Sequence, residues 1–255
     1  MIDIETIRKN FSRCAAYYDQ YATVQNCCAQ RLIDQIEPDN FPNILEIGCG
    51  TGNYTQLLSR RFPQAKIMAV DISLAMIEVA RKKSYQDSID FIVADAEKLN
   101  LEADFNLLCS NASLQWFNNL DMTLLKYKGL LAENGLIAFS LFGPETFFEL
   151  NESLRQFSDQ VNPTDSRGFI NSQTVEEILG GLFKQVTVET KIYKERYNSL
   201  SQLLEKIKYT GARGHNGQKG IFWTAQMLNE LERIYKERFK EIVASYEVFF
   251  CKGVK

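Results

Sequence analysis

The feature that most constrains the fold is a glycine-rich segment between a short apolar run and an amphipathic stretch. Residues 43–47 are apolar enough for a buried strand, and Gly48, Gly50 and Gly52 follow at alternate positions. Residues 53–61 then have helical spacing. Glycines let a chain turn sharply without a Cβ clash, and the amides that begin a helix attract an anionic group. The segment therefore predicts the first strand–loop–helix unit of a ligand-binding α/β sheet.

Apolar runs and helical patterns alternate along the next ninety residues. The patterns place strands at 66–70, 89–94, 105–109 and 136–142, and helices at 74–83 and 121–131. This alternation is typical of a parallel sheet that is covered by helices on both faces. We therefore predict a Rossmann-like α/β fold.

The pattern changes after Pro144. Residues 145–158 have helical spacing, and a short helix is predicted at 174–179. We expect that helix to end at Gly180 and Gly181, because glycine is a common helix stop.

Two further segments, 186–193 and 242–250, alternate as strands do. About fifty residues separate them, which is too many for a hairpin loop, and helical spacing recurs at 200–209 and 224–239. We therefore predict a helical insert before the last strand. The expected single domain has a helical lid at 1–36, a cofactor-binding core at 43–142, substrate-side elements at 143–193, the insert at 194–240 and the last strand at 241–255.

Composition excludes several classes of protein and of site. A net charge of −3 with 45% hydrophobic residues excludes a disordered chain and a highly charged nucleic-acid packager. His215 is the only histidine, so a His-rich metal site is impossible. The six cysteines form no C-x-x-C pair, and no apolar run suggests export or a membrane span. We expect free thiols and a cytoplasmic location.

Two aspartates follow predicted strands at positions suited to a nucleoside. Asp71 ends the second strand, where sheets of this type bind a ribose diol. Asp95 ends the third strand and can accept from an adenine amino group, while Ala96 leaves its amide free for a ring nitrogen. Glu46, before the glycines, can accept from a ligand's amino group. Either aspartate alone could instead be a helix cap, and Met76 could be core.

Taken together, these positions resemble the cofactor motifs of class I S-adenosylmethionine-dependent methyltransferases. The resemblance implies a mostly parallel seven-stranded sheet with an antiparallel last strand, and S-adenosylmethionine as the cofactor without a metal. The residues that it assigns to cofactor binding are Glu46, Gly48, Cys49, Gly50, Gly52, Asp71, Ile72, Met76, Asp95, Ala96 and Glu97.

A narrower resemblance covers nearly the whole chain. The segments that carry it are Phe11–Asp19, Ser110–Trp116, Gly211–Arg213 and Tyr246–Phe250. They are similar to the malonyl-[acyl-carrier protein] O-methyltransferases of biotin synthesis. The resemblance implies transfer of a methyl group from S-adenosylmethionine to the free carboxylate of malonyl-acyl carrier protein, which gives the ester used as a primer in that pathway.

The chemistry of such a transfer agrees with the residues present. A carboxylate is already ionised at neutral pH, so it needs no general base, and a single histidine is no handicap. Positioning and exclusion of water then supply the rate. We expect Tyr18 and Gln115 to be catalytic. The expected substrate-binding residues are Gln25, Asn111, Trp116 and Arg213, although each of these side chains could instead serve packing or lie on the surface.

Charge is unevenly distributed. Residues 191–240 contain eleven basic and five acidic residues, a net charge of +6 in a chain that is acidic overall. This asymmetry predicts an acidic partner, here an acyl carrier protein, docking on the insert, and neither nucleic acid nor membrane. The candidate docking residues are Lys206, Lys208, Lys219, Lys236, Arg238 and Lys240. A merely solvated helical face is the alternative.

Three other functions stay open at this stage. One is methylation of a free small polycarboxylic acid of the aconitate type, for which the basic insert would not matter. Another is S-adenosylmethionine binding without catalysis. A nicotinamide oxidoreductase is the third, although Asn53 stands where a dinucleotide fingerprint requires its last glycine.

Overall fold

The structure is a computed structural model that describes residues 3–37, 39–83, 88–102, 104–157, 168–211 and 224–255. The strands of this part of the chain are β1 (Asn43–Ile47), β2 (Lys66–Asp71), β3 (Ile89–Val93), β4 (Phe105–Asn111), β5 (Leu131–Phe142), β6 (Lys184–Tyr197) and β7 (Ile242–Val254). The helices are α1 (Ile4–Cys14), α2 (Tyr18–Tyr21), α3 (Thr23–Asp34), α4 (Asn53–Arg61), α5 (Leu74–Lys82), α6 (Leu120–Leu130), α7 (Phe148–Phe157), α8 (Ser172–Leu182), α9 (Leu200–Tyr209) and α10 (Ala225–Phe239).

The strands form one seven-stranded sheet in the order β3-β2-β1-β4-β5-β7-β6. The pairings from β3 to β5 are parallel, and β7 is antiparallel to both of its neighbours. The predicted class, a mostly parallel sheet with an antiparallel last strand, is confirmed.

Alternate residues of the central strands enter two apolar cores. On β1, Ile44 belongs to the core that includes α3, α4, α7 and α10, whereas Leu45 and Ile47 belong to the core beneath α6 and α8. All three side chains are fully buried. A strand buried on both faces reads as a continuous apolar run, which is why β1 was recognisable in the sequence.

Two predicted helical boundaries differ from the structure. Residues 1–36 do not form one helical run, because the chain turns at 15–17 and again at Ala22 to give three helices. The predicted stop at Gly180 and Gly181 is wrong, since α8 continues to Leu182. A glycine costs a helix only about 1 kcal/mol, and burial of Leu179 and the packing of Leu182 in the core outweigh that cost.

The predicted insert contains two helices, α9 and α10, between β6 and β7, as expected. After α9 the chain meets the lid at Gly211, where a Cβ would lie 2.6 Å from the ring of Phe11. The insert and the N-terminal helices are therefore in contact. In the described part of the chain, no helix combines the length and apolarity needed to cross a bilayer.

Candidate active site

A cavity lies where β1, β2 and β4 end, next to α1 and α2. Open α/β sheets bind their ligands at this edge. The predicted site residues that line it are Tyr18, Gly48, Gly50, Asp71, Ile72, Met76, Asp95, Ala96, Asn111 and Trp116. The predicted residues that do not line it are Gln25, Glu46, Cys49, Gly52, Glu97 and Gln115.

The glycine loop is bound to the end of β2 by its own backbone. The amides of Gly48 and Cys49 both donate to the Val70 carbonyl, at 2.8 and 3.0 Å. Gly48 has a φ of 69°, and a Cβ there would lie 2.0 Å from the Ser113 Oγ. Only glycine lets the loop pass this close to the segment after β4. Gly52 then begins α4, and the buried Cys49 side chain fills space beneath the loop.

Asp71 is held by two backbone amides at the wall of the cavity. One carboxylate oxygen accepts from the Gly50 amide at 2.9 Å and the other from the Ser73 amide at 2.8 Å. Burial raises the pKa of Asp71 to about 6, although both hydrogen bonds oppose the shift. Each oxygen keeps a lone pair, so the carboxylate can still accept from a ligand hydroxyl.

Of the three residues predicted after β3 to bind the cofactor, two line the cavity and one does not. Asp95 and Ala96 line the cavity, and the Ala96 amide donates to no described residue. Glu97 does not line the cavity, contrary to the prediction that it binds the cofactor. Its carboxylate accepts from the amides of Asn118 and Asn119, at 3.0 to 3.2 Å, just before α6. The dipole at the start of a helix favours a carboxylate, which gives Glu97 a capping role.

Glu46 is buried behind the glycine loop, outside the cavity lining. Its Oε2 atom has no hydrogen-bond partner among the described residues. Burial raises the pKa of Glu46 to about 8. The carboxyl group is therefore largely protonated at neutral pH, and it has free capacity for one more polar partner.

The lid contributes an apolar surface and one phenol. Ile4, Ile7 and Phe11 of α1 line the cavity beside Tyr18 of α2. The ring of Phe11 packs edge-on against Trp116, with the ring centroids 6.0 Å apart. Burial raises the pKa of Tyr18 far above its ordinary value, so its phenol is a neutral hydrogen-bond donor at any working pH.

Asn111 is placed at the cavity wall by bonds at both ends of its amide. Its Nδ2 donates to the Gln25 carbonyl on α3 at 3.0 Å, and its Oδ1 accepts from the Ser140 hydroxyl at 2.8 Å. Gln25 itself is buried behind Asn111, and its side-chain oxygen has no described partner. The structure thus makes Gln25 a support for the wall rather than part of the lining.

Gln115, predicted to be catalytic, and Trp116, predicted to bind the substrate, lie on different sides of a tight turn. Residues Leu114–Trp116 form a 3-10 helix, in which neighbouring side chains diverge by about 120°. Trp116 faces the cavity, whereas Gln115 is buried away from it and donates to the Ala112 carbonyl at 2.8 Å. The structure therefore does not place Gln115 within reach of a substrate.

Lys206 is not available for docking, contrary to the prediction. Its side chain is 6% exposed and forms an ion pair with Glu195 on β6. Burial lowers the pKa of Lys206, and the neighbouring carboxylate opposes that shift. The helical spacing of α9 directs this residue toward the sheet, where Glu195 compensates its charge.

Other basic residues of the insert are also engaged within the molecule. Lys236 pairs with Glu232, Arg238 pairs with Glu152, and Lys240 donates to the Glu237 carbonyl. Lys208 differs, because its ammonium lies over the ring of its neighbour Tyr209 without a carboxylate partner among the described residues. Lys219, Arg213 and His215 lie outside the described residues.

Sequence reasoning missed part of the lining. Ile4, Ile7 and Phe11 recur at helical spacing in the sequence, but a face that covers a cavity has the same period as a face that covers other side chains. Ala112 and Phe117 also line the cavity. Ala112 has a φ of 53°, and a sequence gives no signal for a left-handed alanine.

The chemical character of the cavity is acidic and apolar. Asp71 and Asp95 are the carboxylates that line it, and no basic side chain of the described residues does. Such walls suit a ligand with a large apolar or aromatic part and a positive charge. In the described ranges, no three potential ligands from His, Cys, Asp and Glu are grouped closely enough to hold a metal ion.

Comparison with known sequences relates this chain to one enzyme family. A family model described as "Methyltransferase domain" matches residues 44–135. The malonyl-[acyl-carrier protein] O-methyltransferase of Acetivibrio thermocellus is 35% identical, and the match covers 100% of this chain and 95% of that protein. The protein of the same name from Priestia megaterium is 37% identical, with 94% of this chain and 93% of that protein covered.

Comparison with solved structures supports the fold alone. The YcgJ protein of Bacillus subtilis has a TM-score of 0.63 at 14% identity, covering 90% of this chain and 98% of that one. A phosphoethanolamine N-methyltransferase of Haemonchus contortus, solved with S-adenosyl-L-methionine, has a TM-score of 0.57 at 17% identity, covering 94% of this chain and 56% of that one.

Proposed function

The chain belongs to the malonyl-[acyl-carrier protein] O-methyltransferase family, and from this premise we propose that it methylates the free carboxylate of malonyl-acyl carrier protein, with S-adenosylmethionine as the donor. The ester would serve as the primer that the resemblance assigns to biotin synthesis. The observation that carries the proposal is the cavity, which brings Asp71, Asp95 and Ala96 under the lid residue Tyr18.

The residues of the cavity fit the cofactor. Asp71 keeps acceptor capacity for ribose hydroxyls, and the unengaged Ala96 amide with Asp95 suits an adenine edge. Met76 supplies an apolar, polarisable wall. Glu46, predicted to accept from the amino group of the methionine moiety, lies outside the lining, so the fit rests on the residues named above. When bound there, S-adenosylmethionine supplies a methyl group activated by a sulfonium.

The lining contains no group that must act as a base. A malonyl carboxylate has an ordinary pKa near 4, so it arrives as the nucleophilic anion. Tyr18 can donate a hydrogen bond that orients this anion, and it stays neutral because burial raises the pKa of its phenol. A lysine or arginine at this point would stabilise the carboxylate before transfer, and the described lining has neither.

Apolar lid residues would keep water from the reacting atoms. Ile7 and Phe11 cover the cavity from α1, and Trp116 lines it in contact with the ring of Phe11. Pairing of a cationic donor with an anionic acceptor is stronger in a dry site. The residues that we assign to the substrate are therefore Tyr18, Trp116 and the anchored Asn111.

The carrier protein would dock where the insert meets the lid, at Lys208. Most of the other predicted docking cations that the structure describes are paired within the molecule. Lys208 is exposed, and its ammonium contacts the ring of Tyr209 and no carboxylate of the described residues. Arg13, at the exposed end of α1, also has no described carboxylate partner. Tyr17 contacts the ring of Tyr209, which places the end of the lid beside the end of α9.

Charge reversal separates this docking surface from the rest of the insert. We expect Lys208→Glu and Arg13→Glu each to raise the KM for malonyl-acyl carrier protein about tenfold at low salt, without changing affinity for S-adenosylhomocysteine. Lys194→Glu, on the exposed edge of β6, is the matched control and should leave the KM unchanged. Equal effects at all three positions would exclude docking at Lys208.

The direct test of the function is product analysis. The chain is incubated with methyl-labelled S-adenosylmethionine and malonyl-acyl carrier protein, and the carrier is analysed by mass spectrometry. We expect one methyl ester on the malonyl group, and none on acetyl-acyl carrier protein, which has the thioester but no free carboxylate. Labelled free aconitate or malonate, with an unlabelled carrier, would overturn the proposal.

The reaction would take place in the cytoplasm. All six cysteines are free thiols, and all but Cys27 are buried. Unpaired thiols are typical of a reducing compartment.

A further inference from the structure

Asp19 connects the lid to the cofactor loop through a set of side-chain contacts that the proposed chemistry does not use. One carboxylate oxygen accepts from the Thr51 hydroxyl at 2.5 Å and from the side-chain nitrogen Nδ2 of Asn53 at 3.0 Å. The other oxygen forms an ion pair with Lys83 Nζ at 2.9 Å. One carboxylate on α2 thus holds the glycine loop, the start of α4 and the end of α5.

The contacts close into a network. Lys83 also donates to the Asn53 side-chain oxygen at 2.5 Å, and Nδ2 of Asn53 donates to the side-chain oxygen of Asn26 on α3 at 3.0 Å. Each acceptor of the network therefore has a donor, and the charge of Asp19 is compensated by Lys83. Charge-assisted hydrogen bonds of this kind are stronger than neutral ones.

Helix α2 has little else of its own to fix its position. It has only four residues, no side-chain cap and no buried residue. A single helical turn is not stable by itself in water. On one side, Tyr21 stacks on Tyr209 of α9, with ring centroids 4.8 Å apart. On the other side, Tyr18 packs against the ring of Phe11, and the Asp19 network supplies the polar attachment.

The position of α2 matters because it sets the position of Tyr18. Tyr18 lines the cavity, while its neighbour Asp19 points to the loop that forms the cavity wall. Thr51 and Asn53 flank Gly52, which caps the start of α4 at the end of the glycine loop.

We propose that Asp19 is a positioning residue that latches the lid onto the glycine loop. Its carboxylate sets Tyr18 over the cavity and couples lid closure to the geometry of the cofactor loop. Coupling of this kind is reciprocal, so a bound cofactor that orders the loop also tightens the lid. For its role in methyl transfer the inference rests on the proposed function, but its binding consequences do not.

The test compares variants that keep or remove single contacts. Asp19→Asn keeps the shape but loses the charge, and Thr51→Val removes the hydroxyl donor while Thr51→Ser retains it. We expect the first two to weaken S-adenosylhomocysteine binding about tenfold in calorimetry, and Thr51→Ser to bind as the wild type does. Asp34→Asn, an exposed carboxylate on α3 that contacts Gln30, is the matched control and should have no effect.

A double-mutant cycle distinguishes a latch from general destabilisation. Lys83→Met alone should weaken binding several-fold, but should add little in the Asp19→Asn background, because the partner charge is already gone. Additive effects of the two substitutions, or a loss of affinity that only follows a lower melting temperature, would overturn the latch. Should Asp19→Asn not fold, the affinity difference between Thr51→Val and Thr51→Ser tests the latch by itself, because both variants keep the Asp19–Lys83 pair and only one keeps the hydroxyl donor.

Lid position has its own readout. Trp116 and Trp223 are the two tryptophans of the chain, so Trp223→Phe leaves Trp116, against which Phe11 packs, as a single reporter. We expect S-adenosylhomocysteine to change its fluorescence in the wild-type lid and not in Asp19→Asn. An unaltered response in the variant contradicts the proposal. These measurements need no methyl acceptor, so they stand even when product analysis fails to find an ester.

Discussion

The two halves of the cavity wall are built by different forces. On the sheet side, backbone amides do the positioning: Gly48 and Cys49 bind the Val70 carbonyl, and the amides of Gly50 and Ser73 hold Asp71. On the lid side, the contacts of α1 and α2 are between side chains. The Ser12 and Ser73 hydroxyls are 2.9 Å apart, Asp19 binds Thr51, and Tyr21 stacks on Tyr209.

The difference determines what each half can do. Backbone bonds at the edge of a parallel sheet are part of a cooperative unit, so the cofactor wall is rigid and buried groups there acquire shifted pKa values. Side-chain contacts to a four-residue helix can break without unfolding the domain. The lid can therefore open for the substrate while the cofactor wall stays in place. The Asp19 contacts couple the two halves, so only substitutions outside that network should separate them.

The largest effect should come from Gly48→Ala on the sheet side. The added Cβ meets Ser113 Oγ at 2.0 Å, and the left-handed φ of 69° adds strain, so we expect a loss of about 3–5 kcal/mol in the free energy of unfolding and no methyl transfer. Urea denaturation measures the first and product analysis the second. Ser113→Gly in the same chain should restore part of the stability. Gly129→Ala on α6, where a Cβ meets nothing, should instead stabilise slightly.

The next effect is the pH dependence of stability, which belongs to the sheet side. Burial raises the pKa of Glu46 to about 8 and that of Asp71 to about 6, so the folded chain binds these protons more tightly than the unfolded chain. Their stabilising contribution is complete below about pH 4 and is lost as the pH rises through 6 and 8. For Glu46 alone the complete loss is on the order of 5 kcal/mol.

Glu46→Gln should therefore flatten the dependence of the free energy of unfolding on pH. Urea denaturation at pH 5 and pH 8 compares the variant with the wild type. Identical slopes in the two proteins would mean that Glu46 is not the buried acid that controls stability.

Residues whose partners are close in the sequence were easier to predict than residues whose partners lie on a distant element. The glycine motif and Asp71 were predictable because their roles depend on neighbours in one strand–loop–helix unit. Glu97 was misplaced because its partners, the amides before α6, are some twenty residues away. Lys206 was taken for a surface cation because its buried partner lies on another element, β6.

The lid was predictable as helices but not as a cavity wall. The spacing of Ile7 and Phe11 is that of any amphipathic helix, and only the tertiary structure shows that their face covers an open volume. Gln115 was predicted to be catalytic, yet the tight 3-10 turn directs it inward and directs Trp116 to the cavity.

A smaller effect should isolate the chemistry of the lid. Tyr18→Phe removes the phenol that we expect to orient the substrate carboxylate, so kcat should fall about tenfold. Affinity for S-adenosylhomocysteine should not change, because the variant keeps the ring of residue 18 and the Asp19 contacts that join the lid to the cofactor loop. Tyr21→Phe is the matched control: its hydroxyl contacts Glu205 outside the cavity, and both rates and affinity should match the wild type. A weakened cofactor affinity in Tyr18→Phe would show that the two halves are not separable.

The smallest effect should appear at Ala112, where the two halves meet. Ala112 lines the cavity with a φ of 53°, and its amide donates to the Ser140 carbonyl at 2.9 Å, which holds the strained turn that leads to Trp116. A left-handed backbone costs an alanine about 1–2 kcal/mol. Glycine at this position removes that strain, but its unfolded chain is freer, and this entropy cancels part of the gain in stability.

Ala112→Gly should therefore raise the free energy of unfolding by about 0.5–1 kcal/mol while kcat falls two- to threefold. The gain reports the strain, and the loss reports a less rigid connection between Trp116 and the sheet. Denaturation and steady-state kinetics on one preparation measure both. A lower free energy of unfolding with an unchanged kcat would contradict the prediction. It would show that the backbone at Ala112 is not strained and that this residue does not help to position Trp116.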